Sequence, residues 1–275
     1  MYGFPFPNED RFGGVRVRRS VSFPDDSALA PLEQEVRYQS EEGTLFSVRG
    51  GCEVVIHARA VHRRDVLPSW EGLPREVVIL LLRQRGFLVL HAGAVAIEGG
   101  GVAFIGPSHA GKSTLSAAFQ ARGHTALADD MLLIRPDAEG GPSIVANTEA
   151  FHLWPDSARF FHDHPDTLQR VFPGHEKRIL PANPNGGNRT DYPLRRIYAL
   201  SEGETVRKEP LPLREALNTL LGNTCFVTPF PKDPILSQCA RVVRHASPER
   251  LIRPMRYDCL EATAEFIEAE ALSMR

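Results

Sequence analysis

The sequence predicts an α/β protein: a P-loop core preceded by a smaller, mostly β N-terminal part. Three observations predict it. GVAFIGPSHAGKST sets a Gly-rich loop between an apolar strand and a helix. Short strand-like runs broken by glycine precede it, as in LFSVRGGCEVVIHA and FLVLHAGAVAI. Helical periodicity marks LPREVVILLLRQRG, LREALNTLLG and CLEATAEFIEAEAL.

The elements follow in order. VRVRRSVSF alternates like an edge strand, and Gly50-Gly51 divides a strand pair into a hairpin. LPREVVILLLRQRG is a helix stopped at Gly86. FLVLHAGAVAI and GVAFIG are strands joined by the tight turn EGGG, and a helix runs from Lys112 to Arg122 with Gly123 as its stop. TALADD is a short strand ending in acid, and IVAN and FHLWP are further short strands. The polar stretch from about 163 to 188, ending in PANPNGGN, reads as a loop. RRIYAL and TVRKEP, around SEGE, read as another hairpin, with two helices after it. The boundary this suggests lies between residues 1–85 and 86–275.

Bulk properties remove several function classes. The 275 residues are 24% charged and 42% hydrophobic, as in a folded globular protein. A net charge of −2 gives no pull toward nucleic acid or anionic membrane, and no basic stripe is interleaved with aromatics. No apolar run approaches membrane-spanning length, and MYGFPFPNEDRF lacks the apolar core of a leader. Cys52, Cys225, Cys239 and Cys259 stand singly, which argues against a zinc site or disulfide framework and fits a reducing cytoplasm. The HDHP run at 162–165 reads as a loop turn, having no further ligands at metal spacing.

The chemistry concentrates between His91 and Asp130. Gly106-Pro-Ser-His-Ala-Gly-Lys-Ser matches the GxxxxGK[ST] pattern of a phosphate-cradling loop. Backbone N–H groups of such a loop and the following helix N-terminus face phosphate oxygens. The expected nucleotide contacts are Gly106, Ser108, His109, Ala110, Gly111, Lys112, Ser113 and Thr114. Lys112 would reach the β- and γ-phosphates of a nucleoside triphosphate, and Ser113 would offer its hydroxyl to Mg²⁺. Asp129 follows Ser113 by 16 residues: one helix out, then a short strand back. Of Asp129 and Asp130, one carboxylate could hold Mg²⁺ and the other take a proton from an acceptor hydroxyl. Adjacent strand residues face opposite ways, so the pair need not both face the site. His91 is either a core imidazole or part of the catalytic shell. Lys177, Arg178, Arg189, Arg195 and Arg196 flank PANPNGGN as either a phosphate clamp or a solvated basic face, with Lys177 and Arg178 first among them. Trp154 and Phe151 read as packing residues, and Trp70 as buried or lining a peptide groove.

LHAGAVAIEGGGVAFIGPSHAGKSTLSAAFQARGHTALADD resembles the catalytic domain of the HPr serine kinase/phosphorylase family. Across the whole chain, FSVRGGCEVVIHA, FHLWPDS, EKRIL and PLRRIYAL are most similar to the small HPr-kinase-like proteins that phosphorylate lasso-peptide precursors on a C-terminal serine. The resemblance implies a P-loop core of the HPr-kinase or phosphoenolpyruvate-carboxykinase type, and a cytoplasmic Mg-ATP-dependent kinase whose partner is a peptide or small protein with an acceptor serine. It implies Asp129 as base, Asp130 as metal-side carboxylate, and His91, Lys112, Lys177 and Arg178 around the reacting phosphate. Both a monomer and the ring-like homo-oligomer of true HPr kinases are open. Two departures stand out. His109 occupies a position that is usually Gly in the family. The acidic metal-binding signature of true HPr kinases has no counterpart in TEAFHLWPDS, where Glu149 is a weak substitute, which argues against HPr as substrate and against phosphorolysis. Two other functions fit the loop: phosphorylation of a free metabolite, and nucleotide sensing without transfer.

Overall fold

The computed structural model describes residues 16–20 as backbone, and 35–40, 44–57, 73–136, 141–182, 189–225 and 233–272. Trp70 and residues 183–188 of the PANPNGGN loop lie outside the described residues. The chain divides into two compact units, Met1–Phe87 with Cys225–Pro234, and Leu88–Thr224 with Ile235–Arg275.

In the first unit, β1 (Arg16–Ser20), β2 (Glu35–Gln39), β3 (Leu45–Arg49) and β4 (Glu53–His57) form a sheet ordered β1-β4-β3-β2, followed by α1 (Arg75–Gln84). β1 is an edge strand parallel to β4, and β3 and β4 are the expected hairpin. Helix α1 buries the run Val77–Leu82, and its last residue ties it to the hairpin. Gln84 Nε2 donates to the Val48 carbonyl at 3.2 Å, and Gln84 Oε1 accepts the Gly51 N–H at 2.8 Å.

The second unit is a mixed α/β body. Its elements are β5 (Leu88–Leu90), β6 (Ala92–Ile97), β7 (Gly100–Ile105), α2 (Lys112–Ala121), β8 (Thr125–Ala128), β9 (Leu132–Arg135), β10 (Ser143–Val145) and β11 (Ala150–Leu153). Then come α3 (Pro155–Phe161), β12 (Arg178–Pro181), β13 (Asp191–Glu202), β14 (Arg207–Pro210), α4 (Leu213–Gly222), α5 (Ile235–Ala246), β15 (Glu249–Arg253) and α6 (Leu260–Leu272). The sheet runs β5-β9-β10-β13-β7-β6-β8, with β15 beside β13 and β14 beside β15, while β11 and β12 pair separately. Strand β13 is parallel to both β7 and β15.

Strands β6 and β7 are apolar and buried throughout because both faces of the sheet are covered there. On β7, Ala103 and Ile105 join one core with Leu220 of α4 and Val242 of α5. Their neighbours Val102 and Phe104 join the other, with Phe119 of α2 and Ile267 of α6. Phe104 stacks on Phe119 at 5.7 Å and on Tyr198 at 6.5 Å between ring centroids. Helix α2 lies close on the sheet: a Cβ on Gly93 would sit 2.7 Å from Ser116 Oγ.

Two local readings need correction. FLVLHAGAVAI breaks at His91, because Leu88–Leu90 pairs with β9 whereas Ala92–Ile97 pairs with β7 and β8. RRIYAL and TVRKEP do not form a hairpin, since β15 inserts between β13 and β14. The segment RKEP has no apolar side chain to bury beside β13, whereas β15 supplies the fully buried Leu251. Among the described residues, no helix is long and apolar enough to cross a membrane.

Candidate active site

Strand register brings the chemistry to one edge of the large sheet. Ala92 of β6 and Ala199 of β13 both stand opposite Ile105 of β7, Ala128 of β8 stands opposite Ala94, and Arg253 of β15 pairs with Glu202. His91, the Gly106–Ser113 loop, Asp129 and Arg253 thus leave the sheet at the same edge, where open α/β sheets bind ligands. A cleft of about 580 Å³ opens there, with His91, Lys112, Asp130, Trp154, Lys177 and Arg253 among its lining residues.

The loop between β7 and α2 turns on two left-handed residues, His109 (φ 66°) and Gly111 (φ 79°). His109 therefore takes the conformation that Gly adopts most cheaply. Its ring stacks on Trp154 at 5.3 Å between centroids, which holds the turn from outside. The Trp154 ring in turn faces His175 at 6.0 Å and lies under Lys177 Nζ at 5.7 Å. Trp154 is 37% exposed, so it is a wall of the cleft rather than the packing residue its sequence context suggests.

Lys112 is buried and donates from Nζ to the carbonyls of Gly106 at 2.8 Å and Pro107 at 2.9 Å. Burial lowers its pKa from the ordinary amine range, against the pull of Asp130 and Asp129. Asp129 is only 7% exposed, and its Oδ2 accepts the backbone N–H of His152 at 2.8 Å. Its Oδ1 is buried with no partner at hydrogen-bond distance among the described residues, although Ser113 lies near enough to favour the ionised form. Burial, then the neighbouring Asp130 charge, push the Asp129 carboxyl up to about 6. Asp130 (φ 63°) turns instead into the cleft, between His91 Nδ1 at 3.9 Å and His152 Nδ1 at 3.8 Å. His91 Nδ1 also lies 3.2 Å from the Asp130 carbonyl oxygen.

Asn223 couples the ends of two strands. Its carbonyl accepts the His91 N–H at 2.7 Å, and its Oδ1 accepts the Gly106 N–H at 3.2 Å. Beyond Lys112, Thr114 Oγ1, Ser157 Oγ and Tyr257 OH form a hydroxyl chain with steps of 2.9 and 3.1 Å.

Most of the residues expected from the sequence line the cleft: His91, Ser108, His109, Gly111, Lys112, Ser113, Thr114, Asp130 and Lys177. Gly106 and Ala110 belong to the loop without lining it, and Asp129 sits buried against it. Arg178 does not reach the cleft: it is buried in β12 and approaches Asp166 at 3.6 Å. Arg189 and Arg195 lie beside Gly99 and Gly100, at the opposite end of β7, and Arg196 pairs with Glu249 at 3.3 Å. Glu149 is exposed and outside the cleft. Sequence reading missed His152, which was legible in principle: Phe151 and Leu153 are buried on β11, so the residue between them faces the other way. It also missed Arg253 and Asn223, for which no local motif exists.

Asp129, Asp130 and His152 bring potential ligand atoms within 4.8 Å of one another. Two carboxylates beside a serine hydroxyl are hard oxygen donors of the kind Mg²⁺ prefers, and the orphaned Asp129 Oδ1 is a buried acceptor suited to a cation. The residues therefore fit a divalent ion. A carboxylate facing a cleft whose floor is a phosphate-type loop with a buried lysine can receive a proton next to bound phosphate.

No protein-family model matches the sequence, and no curated protein does. Among solved structures, the Hpr(Ser) kinase/phosphatase from Coxiella burnetii is similar at 15% identity and a TM-score of 0.35, over 68% of this chain and 97% of that one. Identity and overlap at this level do not transfer a function.

Proposed function

We propose that the protein is a Mg-ATP-dependent kinase that transfers the γ-phosphate to a serine hydroxyl of a peptide or small protein. The C-terminal serine of a lasso-peptide precursor is the specific acceptor to which the sequence resemblance points. The observation that carries the reading is the convergence of Lys112, Ser113, Asp129 and Asp130 on one loop, with Asp129 buried against Ser113 and Asp130 in the open cleft.

This geometry favours exchanging the roles implied by the resemblance. Asp129, next to Ser113, is the metal-side carboxylate. Asp130, flanked by two imidazoles and lining the cleft, is the group that meets the acceptor. Loop N–H groups and the Lys112 ammonium bind and polarise the terminal phosphates. Ser113 and Asp129 hold Mg²⁺, which when bound neutralises charge developing on the phosphate oxygens. Asp130 accepts the serine O–H proton as the serine oxygen bonds to the γ-phosphorus. The bond from that phosphorus to the β–γ bridging oxygen breaks, and ADP leaves with the electron pair. His91 and His152 orient Asp130, and Lys177 adds positive charge to the cleft wall.

The test is incubation of the purified protein and Mg-ATP with peptides and small proteins encoded beside its gene, read by intact-mass spectrometry. Phosphate on a serine, absent with Asp130→Asn, supports the peptide kinase. Transfer to a free metabolite with no peptide present would establish the metabolite kinase instead. ATP binding without transfer to any acceptor would leave nucleotide sensing.

A further inference from the structure

Arg253 ends β15 at the cleft and is only 4% exposed. Its two terminal nitrogens donate to carbonyls, one to Ala110 in the Gly106–Ser113 loop at 2.8 Å and the other to Pro254 at 3.3 Å. Nε is buried with no hydrogen-bond partner among the described residues, and no carboxylate among them pairs with the guanidinium. Lys112 differs: it feels both aspartates. A buried cation without a counter-ion is destabilising, and such groups persist where an anion completes them. Burial as the sole cause of its lowered pKa is consistent with that isolation.

The position narrows which anion. The guanidinium abuts the loop at Ala110 and Gly111, so close that a Cβ on Gly111 would lie 2.5 Å from its terminal nitrogen. Met255 and Tyr257, half-exposed and next along the chain, also line the cleft, and Tyr257 closes the hydroxyl chain that begins at Thr114. A cation at the loop with an aromatic side chain farther along the same cleft lining suits the two ends of a nucleoside diphosphate, its phosphates and its base. We propose that Arg253 binds the non-transferred phosphates of the nucleotide, from the side of the loop away from the aspartates. This rests on the reading of the loop as a nucleoside triphosphate site.

The experiment compares wild type with Arg253→Met, using calorimetric titration of ADP and ATP and melting without nucleotide. A charge-assisted hydrogen bond is worth roughly 10- to 100-fold in affinity. ADP and ATP should therefore both weaken by about 30-fold, leaving their ratio unchanged, because the γ-phosphate is not the partner. The nucleotide-free variant should melt no lower than wild type, since an unpaired buried charge has been removed. Arg253→Lys should recover most of the affinity. ADP binding within threefold of wild type would overturn the proposal. So would a nucleotide-free Arg253→Met that melts several degrees lower, because Arg253 would then be a brace for the Ala110 carbonyl. An Arg253→Met chain that does not fold counts with that second outcome and overturns the proposal likewise. If wild type binds neither nucleotide, the loop reading itself falls, an outcome distinct from a normal wild type with an unaffected variant.

Discussion

Asp129→Asn should make the metal-free protein more stable while disabling it. Asn can keep an oxygen for the His152 N–H and turn its own N–H toward Ser113, so the substitution removes charge with little change of shape. The wild-type carboxyl is pushed from 3.8 to about 6 on folding. A raised carboxyl pKa means the native state binds the proton more tightly than the unfolded chain. Ionisation therefore costs stability, none of it below pH 4 and all of it above about pH 6. Roughly two pH units at 1.36 kcal/mol each give about 3 kcal/mol. For a body of this size that corresponds to about 5–10 °C in Tm. Melting followed in EDTA from pH 4 to 8 should show Asp129→Asn above wild type by about that much at pH 8, with the curves converging near pH 4. Saturating Mg²⁺ should raise wild type and leave the variant unmoved. A variant that melts lower at pH 8, or by an offset that does not change with pH, would refute the assignment of Asp129 as a buried, strained carboxylate.

Asp130→Asn should leave Mg-ATP affinity within about threefold while lowering transfer at least 100-fold, as expected for loss of a proton acceptor, read by titration and by phosphate release to the acceptor. Gly111→Ala meets both a positive φ and the Arg253 nitrogen at 2.5 Å. It should cost about 1–2 kcal/mol from the left-handed conformation alone and weaken ADP binding, measured by melting and calorimetry. Asn223→Ala removes the acceptor for the Gly106 N–H and leaves the backbone carbonyl that holds His91. Stability should fall by about 1 kcal/mol and kcat more than KM, whereas a purely structural role would lower neither kinetic constant in the surviving folded protein.

Much of this site was legible because its central parts are contiguous. Gly106 to Asp130 contains the loop, the helix and the return strand, and the geometry there depends on little beyond local spacing. The His91 position was legible as a strand end, although not the change of partners that occurs at it. What was illegible came from long-range pairing. His152 reaches Asp129 because β11 docks beside the end of β8, and Arg253 reaches Ala110 because β15 lies in parallel with β13. Neither position carries a motif. The basic residues near 189–196 show the converse error: they cluster in sequence, but the strand they occupy carries them to the far end of β7. The helix α3, whose Ser157 joins the hydroxyl chain, starts at Pro155 in a segment that reads locally as a strand cap. His109 is the most instructive residue, because it holds a left-handed turn without being glycine and presents a ring for Trp154 to stack on.

The insertion of β15 between β13 and β14 has a consequence for how the molecule comes into being. The loop and its aspartates are complete by residue 130, yet the strand carrying Arg253 is synthesised more than a hundred residues later and must enter a gap already flanked by older strands. Pairings of such sequence separation are slow to form, because loop-closure entropy must be overcome before any contact rewards it. A nascent chain thus carries the Gly106–Ser113 loop with one wall missing until Arg253 has been made. Ligand binding that requires the late wall would act as a check that the chain has finished folding, and nucleotide present during refolding would speed recovery by capturing the closed sheet.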